Sequence, residues 1–564
     1  MEEEKKLTGY PSIDKPWLKY YSKEAIEAPL PKMTMYQYIW ENNKEYLDDV
    51  ALRYYGTKVT YGKLFENIKK AASAFYFMGV RKGDIVTIMS MHTPECIYAL
   101  YGLNYIGAIA NMVYMTLSEK EIIDTIENTE SKLFLVLDPV LDKIRNIKDK
   151  ISIPVVVLDV SDSMPLYMKV GYKLKTKAGK HPFLTYSQFL FKGTTEPLMS
   201  DDHAAAAVIV YTSGTTGEPK GVTLCNDGIN TVVNQLKLTD RLKKRQETAL
   251  MILPPFIAFG VSMIHRALGS GMDATMWIEL DADRIGKVFG KIKPNRFVSG
   301  PLLIEGIIRH ASGDLSNVYD ITGGGEAISP ELEDKFNHFM SAHNSKARYM
   351  TGYGMSEFSS VITLNWLDAY KKDSIGIPLP LTQIKIIDPD SLLELPYGEE
   401  GEIVVSTPCA MQGYYRNERA TKEIVDIDNA GVRWFHTGDL GYIDEDGFVF
   451  LIGRIKRIYT ALDNNEMACK IFPQRIEELL INCIGVKECA VVVKPDKKHR
   501  YVPVAFVALE PTNNNDNLDE LYTVSKKELP EYMQPEKIIV LDSLPMTPGG
   551  KTDYKTLEKM AESL

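Results

Sequence analysis

Uninterrupted apolar runs, rich in β-branched residues, alternate with helical patterns through most of the N-terminal part of the chain. KLFLVLD (132–138), PVVVLDV (154–160) and AAVIVYT (206–212) are examples. Runs of this kind predict strands buried on both faces, and the alternation predicts βαβ units around mostly parallel sheets. Leu303, Ile304, Ile307 and Ile308 recur at helical spacing, which predicts a helix with a buried face over 301–310. After Gly453 and Arg454 the pattern changes. A polar stretch, 461–465, leads to Pro473 and the helical run QRIEELL (474–480). Two strand-like runs follow, CAVVVKP (489–495) and VPVAFVAL (502–509), then the loop-forming Asn513, Asn514 and Asn515. We place a domain boundary at 454/455, giving a large N-terminal domain (1–454) and a small α+β C-terminal domain (455–564). There is no internal repeat.

The 564 residues are too many for one ordinary core, which agrees with that division. A formal net charge of −10 argues against a broad nucleic-acid surface, since counterion release needs clustered Lys and Arg. The six cysteines form no CxxC pair, which argues against a zinc ribbon or a redox motif, and so few thiols in a long chain predict a reducing, cytoplasmic setting. The start, MEEEKKLTGY, lacks the apolar core of a signal peptide. Residues 98–117 carry no charge and meet the crude length test for a membrane span. Gly102, Asn104, Gly107 and Asn111 interrupt them, so the expectation is a buried helix running into a buried strand, with no stable membrane insertion. The lysine-rich stretch 169–180 reads as a solvated loop or insertion, with weak attachment to an anionic membrane surface as the sharper alternative.

The most informative segment is YTSGTTGEPKGV (211–222). Gly214, Gly217 and Gly221 allow close backbone approach. Exposed N–H groups, the hydroxyls of Thr212, Ser213, Thr215 and Thr216, and the Lys220 ammonium suit a polyphosphate. The spacing is not that of a Walker loop, and a flexible linker would not abut a buried strand. The segment resembles the signature phosphate loop of the acyl-adenylate-forming superfamily, which includes acyl-CoA synthetases and peptide-synthetase adenylation domains.

Further motifs follow in the order that this resemblance implies. GGEAISP (324–330) resembles the adenine-side loop, through Gly325, Glu326 and Ala327. TGYGMSE (351–357) resembles the Y-G-x-T-E element, with Ser356 in place of the usual Thr; Thr351, Gly352, Tyr353, Gly354, Met355 and Ser356 would border the nucleotide. Glu357, with Thr212, would hold Mg²⁺, a hard cation that prefers oxygen. WFHTGD (434–439) resembles the element whose Asp, here Asp439, accepts from the ribose hydroxyls. Gly453-Arg454 resembles the hinge entry, with Arg454 on the nucleotide. LPMTPGGKTD (544–553) resembles the loop carrying the adenylation lysine, here Lys551; Tyr554 stands where many members have Arg.

The resemblance implies an α/β fold: a large N-terminal domain of mostly parallel sheets with flanking helices and a β-barrel-like subdomain, and a small mobile C-terminal domain. It implies that ATP and a small carboxylic acid form acyl-AMP and pyrophosphate, with Lys551, Glu357 and Lys220 as the catalytic set, and that coenzyme A then takes the acyl group. The acyl pocket would involve Phe256, Ile257, Gly260, Val261, Gly300, Gly323 and Gly324. The stretch 254–263 contains no acid to pair an amino-acid ammonium, which favours an apolar acyl or aryl acid. After Arg454 the sequence departs from the family pattern: Arg457 stands at a hinge position usually Asp or Lys, extra residues precede Lys470, and Ala468-Cys469 replace a glycine. Loading of a carrier protein or amine therefore stays open as an alternative; a non-catalytic nucleotide-binding module is the alternative of another class, against which stand Glu357, Asp439 and Lys551.

Overall fold

The computed structural model describes residues 7–176, 181–212, 219–239, 244–325, 328–366, 368–457, 459–464, 467–509, 517–547 and 551–564. Two large sheets carry most of the N-terminal part. One has eight strands, in the order Gly413–Tyr414, Gly221–Cys225, Ala206–Tyr211, Ile109–Met112, Ile85–Met89, Leu133–Leu137, Val155–Leu158 and Leu184–Thr185. Its interior pairings are parallel, and only Gly221–Cys225 runs antiparallel to its neighbours. The other has nine strands, with a parallel interior from Val50–Tyr54 through Asp273–Met276, Thr248–Met251, Arg296–Ser299 and Asp320–Gly323 to Tyr349–Met355. The apolar runs at 132–138, 154–160 and 206–212 all lie in the first sheet, and their central residues are buried on both faces. A separate five-stranded antiparallel sheet, 383–454, stands where a barrel-like subdomain was implied.

The uncharged stretch 98–117 is a buried helix, Pro94–Tyr105, followed by the interior strand Ile109–Met112. Its asparagines are held by hydrogen bonds: Asn104 accepts from the Tyr36 amide at 2.9 Å and donates to Asn226, and Asn111 donates to Thr87 at 2.9 Å, although its Oδ1 is buried without a partner among the described residues. No helix among the described residues is long and apolar enough to cross a membrane. The helix Pro301–His310 forms as the spacing predicts, with Ile304 and Ile307 buried.

Beyond Arg454 the chain builds its own cores. Val486–Asp496, Arg500–Leu509 and Lys537–Leu541 form a three-stranded sheet. Val491, Ala505 and Val507 turn to one face with Ile476, Leu480 and Leu521, while Ala490, Val492, Val504 and Phe506 turn to the other with Leu557 and Ala561. This is the period-2 alternation of a strand packed by helices on both sides. Ala461 and Leu462, which open the polar stretch, end the strand Tyr459–Leu462, which pairs with Ala468–Ile471. One local expectation needs correction. The first part of the basic stretch, read as a loop, is the helix Leu166–Thr176; its apolar residues recur every four positions, a helical period that the lysine content obscures. Lys177, Lys180 and Asn513 to Asn515 lie outside the described residues. All six cysteines are free thiols.

Candidate active site

The phosphate-loop segment connects the antiparallel strands Ala206–Tyr211 and Gly221–Cys225. Its mouth is closed twice: the Thr212 amide donates to the Lys220 carbonyl at 3.1 Å, and the Lys220 amide donates to Thr212 Oγ1 at 3.3 Å. Ser213, Gly214, Thr215, Thr216 and Gly217 lie outside the described residues. The short strand Gly413–Tyr414 pairs with Gly221–Cys225 and brings the Tyr414 ring under Lys220, with Nζ 4.9 Å from the ring centroid. The Tyr414 hydroxyl then donates to Glu357 Oε1 at 2.7 Å. Glu357 is buried in a 3₁₀ turn, Ser356–Phe358, at the end of the strand Tyr349–Met355, and the Met411 amide donates to its carbonyl at 2.6 Å. One tyrosine therefore bridges the loop lysine and the buried carboxylate.

A second cluster forms on the antiparallel sheet. Asp439 and Arg454 are register partners across Arg433–Ile443 and Val449–Arg454. Arg454 Nε lies 2.8 Å from Asp439 Oδ1, and Arg454 Nη1 donates to the Thr437 carbonyl at 2.9 Å. The Tyr353 hydroxyl donates to Asp439 Oδ2, and the Asp439 amide donates to Thr437 Oγ1 at 3.0 Å. Burial pushes the Asp439 carboxyl above its ordinary range, against the pull of Arg454, the Tyr353 hydroxyl and Lys551. Burial likewise raises the Tyr353 hydroxyl well above its ordinary value, with the Asp439 charge adding to the effect. Burial opposes the charge on Arg454, but Asp439, Tyr353, Glu357 and Tyr414 together hold its pKa above the ordinary value. Arg454 thus feels both clusters, and Lys551 reaches Asp439 electrostatically from the C-terminal part.

Lys551 is exposed on a turn held by its own backbone. The Thr547 amide donates to the Lys551 carbonyl at 2.6 Å, and the Lys551 amide donates to Thr547 Oγ1 at 3.2 Å. Asp553 caps the following helix, Tyr554–Glu562, by accepting from the Thr556 amide at 3.2 Å. The two departures noted around the hinge meet each other: the Arg457 guanidinium stacks 3.8 Å from the Tyr554 ring centroid and donates to Glu477 at 2.6 Å and to the Val491 carbonyl at 2.9 Å. The Tyr554 hydroxyl also donates to Glu477, at 3.2 Å.

The nucleotide-side elements lie on adjacent parallel strands, with Gly323 opposite Thr351 and Ser299 opposite Gly323. Thr351, Gly352, Tyr353, Gly354 and Met355 share the strand Tyr349–Met355, and Ser356 opens the next turn. A Cβ at Gly323 would collide with the Tyr349 hydroxyl, so the close approach needs glycine there. Gly324 and Gly325 follow directly; Glu326 and Ala327 lie outside the described residues. Gly300 caps the helix Pro301–His310. Ile257 precedes the helix Ala258–Gly269, which carries Gly260 and Val261, and Phe256 lies 5.0 Å from the Tyr114 ring. A Cβ at Gly260 would overlap the Pro254 carbonyl. Buried His92 meets this helix at the Gly260 backbone, and burial pushes its pKa down to about 4, so it adds no charge at neutral pH. Sequence reasoning had missed Tyr414, Thr437 and His92. Tyr414 follows Gly413 in an aromatic pair that reads only as strand or turn.

Among the described residues, no three His, Cys, Asp or Glu side chains are grouped to hold a metal ion. The oxygen donors Glu357 and Thr212 do not make a protein cage. They fit Mg²⁺, which takes one or two carboxylates together with substrate phosphates and waters.

Comparisons with known proteins agree with this geometry. Residues 39–415 match the family model described as AMP-binding enzyme, and residues 475–551 match AMP-binding enzyme C-terminal domain. A long-chain-fatty-acid–CoA ligase of Bacillus subtilis is 28% identical over 558 residues, covering 95% of this chain and 96% of the relative. A 4-coumarate–CoA ligase of Arabidopsis thaliana is 27% identical, covering 89% and 86%. Among solved structures, an anthranilate CoA ligase with anthranoyl-AMP superposes with a TM-score of 0.81 at 19% identity, covering 96% of this chain and all of that one. An amide bond synthetase from Marinactinospora thermotolerans gives 0.77 at 21% identity, covering 93% and 99%. At these identities the solved structures speak to the fold.

Proposed function

The chain belongs to the AMP-binding enzyme family, and from that premise we propose that it joins a carboxylic acid to AMP and passes the acyl group to coenzyme A. The observation that carries this reading is the single constellation of Lys220, Tyr414, Glu357, Arg454, Tyr353 and Asp439, with Lys551 reaching Asp439. In the first step a carboxylate oxygen attacks the α-phosphorus of ATP, the bond from that phosphorus to the bridging oxygen breaks, and pyrophosphate leaves. Both reactants are anions, so the chemistry needs positive charge held in place before the reaction. Lys220 and the loop from Thr212 would take the β- and γ-phosphates. Asp439 would accept from the ribose hydroxyls, and Arg454 would lie along the nucleotide. Gly325, Glu326, Ala327 and residues 351–356 would border the adenine. Lys551 would bridge the attacking carboxylate and the α-phosphate. Glu357, with Thr212, would hold Mg²⁺ brought with ATP, which supplies charge neutralisation on the phosphates.

In the second step the thiolate of coenzyme A attacks the acyl carbon and AMP leaves. We divide the chain for this purpose into 1–454 and a mobile unit, 455–564. Two observations support the division: strand pairing with the antiparallel sheet ends at Arg454, and the following residues bury cores of their own. The curated relatives reported above are named CoA ligases, which favours that acceptor. The stretch 254–263 contains no acid, and buried His92 is neutral; both favour an apolar acyl or aryl acid bound near Phe256, Ile257, Gly260, Val261, Gly300, Gly323 and Gly324. Six free thiols fit a cytoplasmic setting. A second reading, an amine acceptor, draws on the fold shared with an amide bond synthetase.

The test is pyrophosphate exchange with fatty, aryl and amino acids, followed by product analysis with coenzyme A. Exchange with apolar acids and formation of the thioester are expected. An amino acid as the best substrate would sink the acid assignment. Bound acyl-AMP accumulating without thioester would move the acceptor to an amine or a carrier protein.

A further inference from the structure

The helix Leu166–Thr176 is oriented opposite to an ordinary surface helix, which turns its apolar stripe inward. At 3.6 residues per turn, Leu166, Tyr167, Val170 and Leu174 share an arc of about 100°. Their exposures are 77%, 76%, 50% and 77%, and no residue of the helix is buried. What holds the helix to the protein is largely polar. The Tyr172 hydroxyl donates to Asp138 at 2.8 Å, Lys169 pairs with Asp162 at 3.0 Å, and Lys173 lies 3.7 Å from Asp159.

The sequence around this stripe is equally unusual. Between Ser163 and Glu196 it carries Lys169, Lys173, Lys175, Lys177, Lys180 and Lys192 with no Asp or Glu, in a chain whose net charge is −10, although Lys169 and Lys173 turn to Asp162 and Asp159. An outward apolar arc flanked by lysines is the composition of a helix that lies in a membrane interface. We propose that Leu166–Thr176 docks the protein on an anionic bilayer surface, with the leucines and Tyr167 entering the headgroup boundary and Lys175 meeting lipid phosphates.

The place of the helix in the fold gives the docking a consequence. Asp138 follows the strand Leu133–Leu137, and Asp159 and Asp162 follow Val155–Leu158. These strands run parallel, through Ile85–Met89 and Ile109–Met112, to Ala206–Tyr211. The helix therefore sits at the same carboxyl edge of the sheet that delivers Thr212 and the phosphate loop. A docked molecule would turn that edge toward the surface where apolar acids partition. The docking itself does not depend on the adenylation reading.

The full chain should be pelleted with vesicles of phosphatidylcholine, with and without about 30% phosphatidylglycerol. Binding to the anionic vesicles is expected to exceed binding to the neutral ones several-fold, and to fall as salt shortens the Debye length. Leu166→Ser combined with Leu174→Ser should lower binding about tenfold or more. Lys175→Glu should weaken binding to anionic vesicles and leave the neutral ones unaffected. Circular dichroism melts that match wild type establish that these exposed substitutions leave the fold intact, whatever the enzyme activity proves to be. Equal pelleting of wild type and the double variant, or no pelleting with anionic vesicles, overturns the proposal. A dimer in sedimentation velocity that is lost in the double variant would assign the face to a second copy of the chain and overturn it as well.

Discussion

Tyr414→Phe isolates one hydroxyl at the centre of the candidate site. The ring beneath Lys220 is kept, so the cation–π contact survives, and only the 2.7 Å hydrogen bond to Glu357 is lost. A hydrogen bond to a charged group contributes about 1.5–3 kcal/mol. At 1.36 kcal/mol per decade, full loss in the transition state corresponds to roughly 10- to 150-fold in rate. Pyrophosphate exchange should therefore fall by one to two decades, and half-saturation by Mg²⁺ should move to higher concentration, because the carboxylate proposed to hold the ion loses the donor that orients it. A thermal melt accompanies the assay, since Glu357 is buried and a small loss of stability is expected. The decisive measurement is a double-mutant cycle with Glu357→Gln. If the hydroxyl acts through the carboxylate, Tyr414→Phe should cost less than about threefold in the Gln background. Equal costs in both backgrounds, or an unchanged Mg²⁺ titration, would refute the argument.

Lys551→Ala should cut pyrophosphate exchange about 10²- to 10³-fold yet leave thioester formation from supplied acyl-AMP largely intact; near-normal exchange would remove Lys551 from the first step. Arg457→Ala breaks a pair whose side chains are only 19% and 13% exposed and unstacks Tyr554, so it should destabilise the C-terminal core by about 3–5 kcal/mol, read by hydrogen exchange in Pro473–Ile481. Arg457→Lys should rescue it only in part, for lack of the planar fork. Burial pushes Glu95 from 4.5 to about 7. Its contribution to stability is thus fully present below pH 4.5 and lost as pH rises through 7, with a ceiling of roughly 3 kcal/mol; urea titrations across pH 5–9 should show this slope, and Glu95→Gln should flatten it.

Much of this architecture is legible in the chain because the strands of the large sheets are buried on both faces, and such strands appear as unbroken apolar runs. The candidate site is legible where its residues are contiguous: 211–222 joins two paired strands, 351–357 runs from a strand into the turn that follows it, and 434–439 lies within one strand. It is illegible where function depends on pairing between distant segments. Nothing around Tyr414 signals a partner of Lys220 and Glu357, because that role arises only when Gly413–Tyr414 adds to the edge of Gly221–Cys225. His92 is hidden for the same reason; it meets the Ala258–Gly269 helix through the fold, not through a motif. The Leu166–Thr176 helix was obscured by lysine content, since polarity suggests a loop even where the apolar period is helical.

The structure also gives the two departures around the hinge a joint physical meaning. Arg457 and Tyr554, each unusual when taken alone, stack on one another and share Glu477. Tyr554 is three residues from Lys551, so Arg457 ties the segment after the five-stranded sheet directly to the helix that follows the lysine turn. On the other side, Arg454 is held by Asp439 and the Thr437 carbonyl. Two anchored arginines thus stand three positions apart, one bound to the sheet that carries Asp439, the other to the core around Pro473–Ile481. Between them lie only Ile455 and Lys456. With planar peptide bonds, two residues offer four soft dihedrals, enough for a rotation and too few for a wandering linker. The proposed motion of 455–564 is therefore a swivel about a fixed point beside Asp439. A swivel of this kind can carry Lys551 away from Asp439 while Arg454 stays beside it.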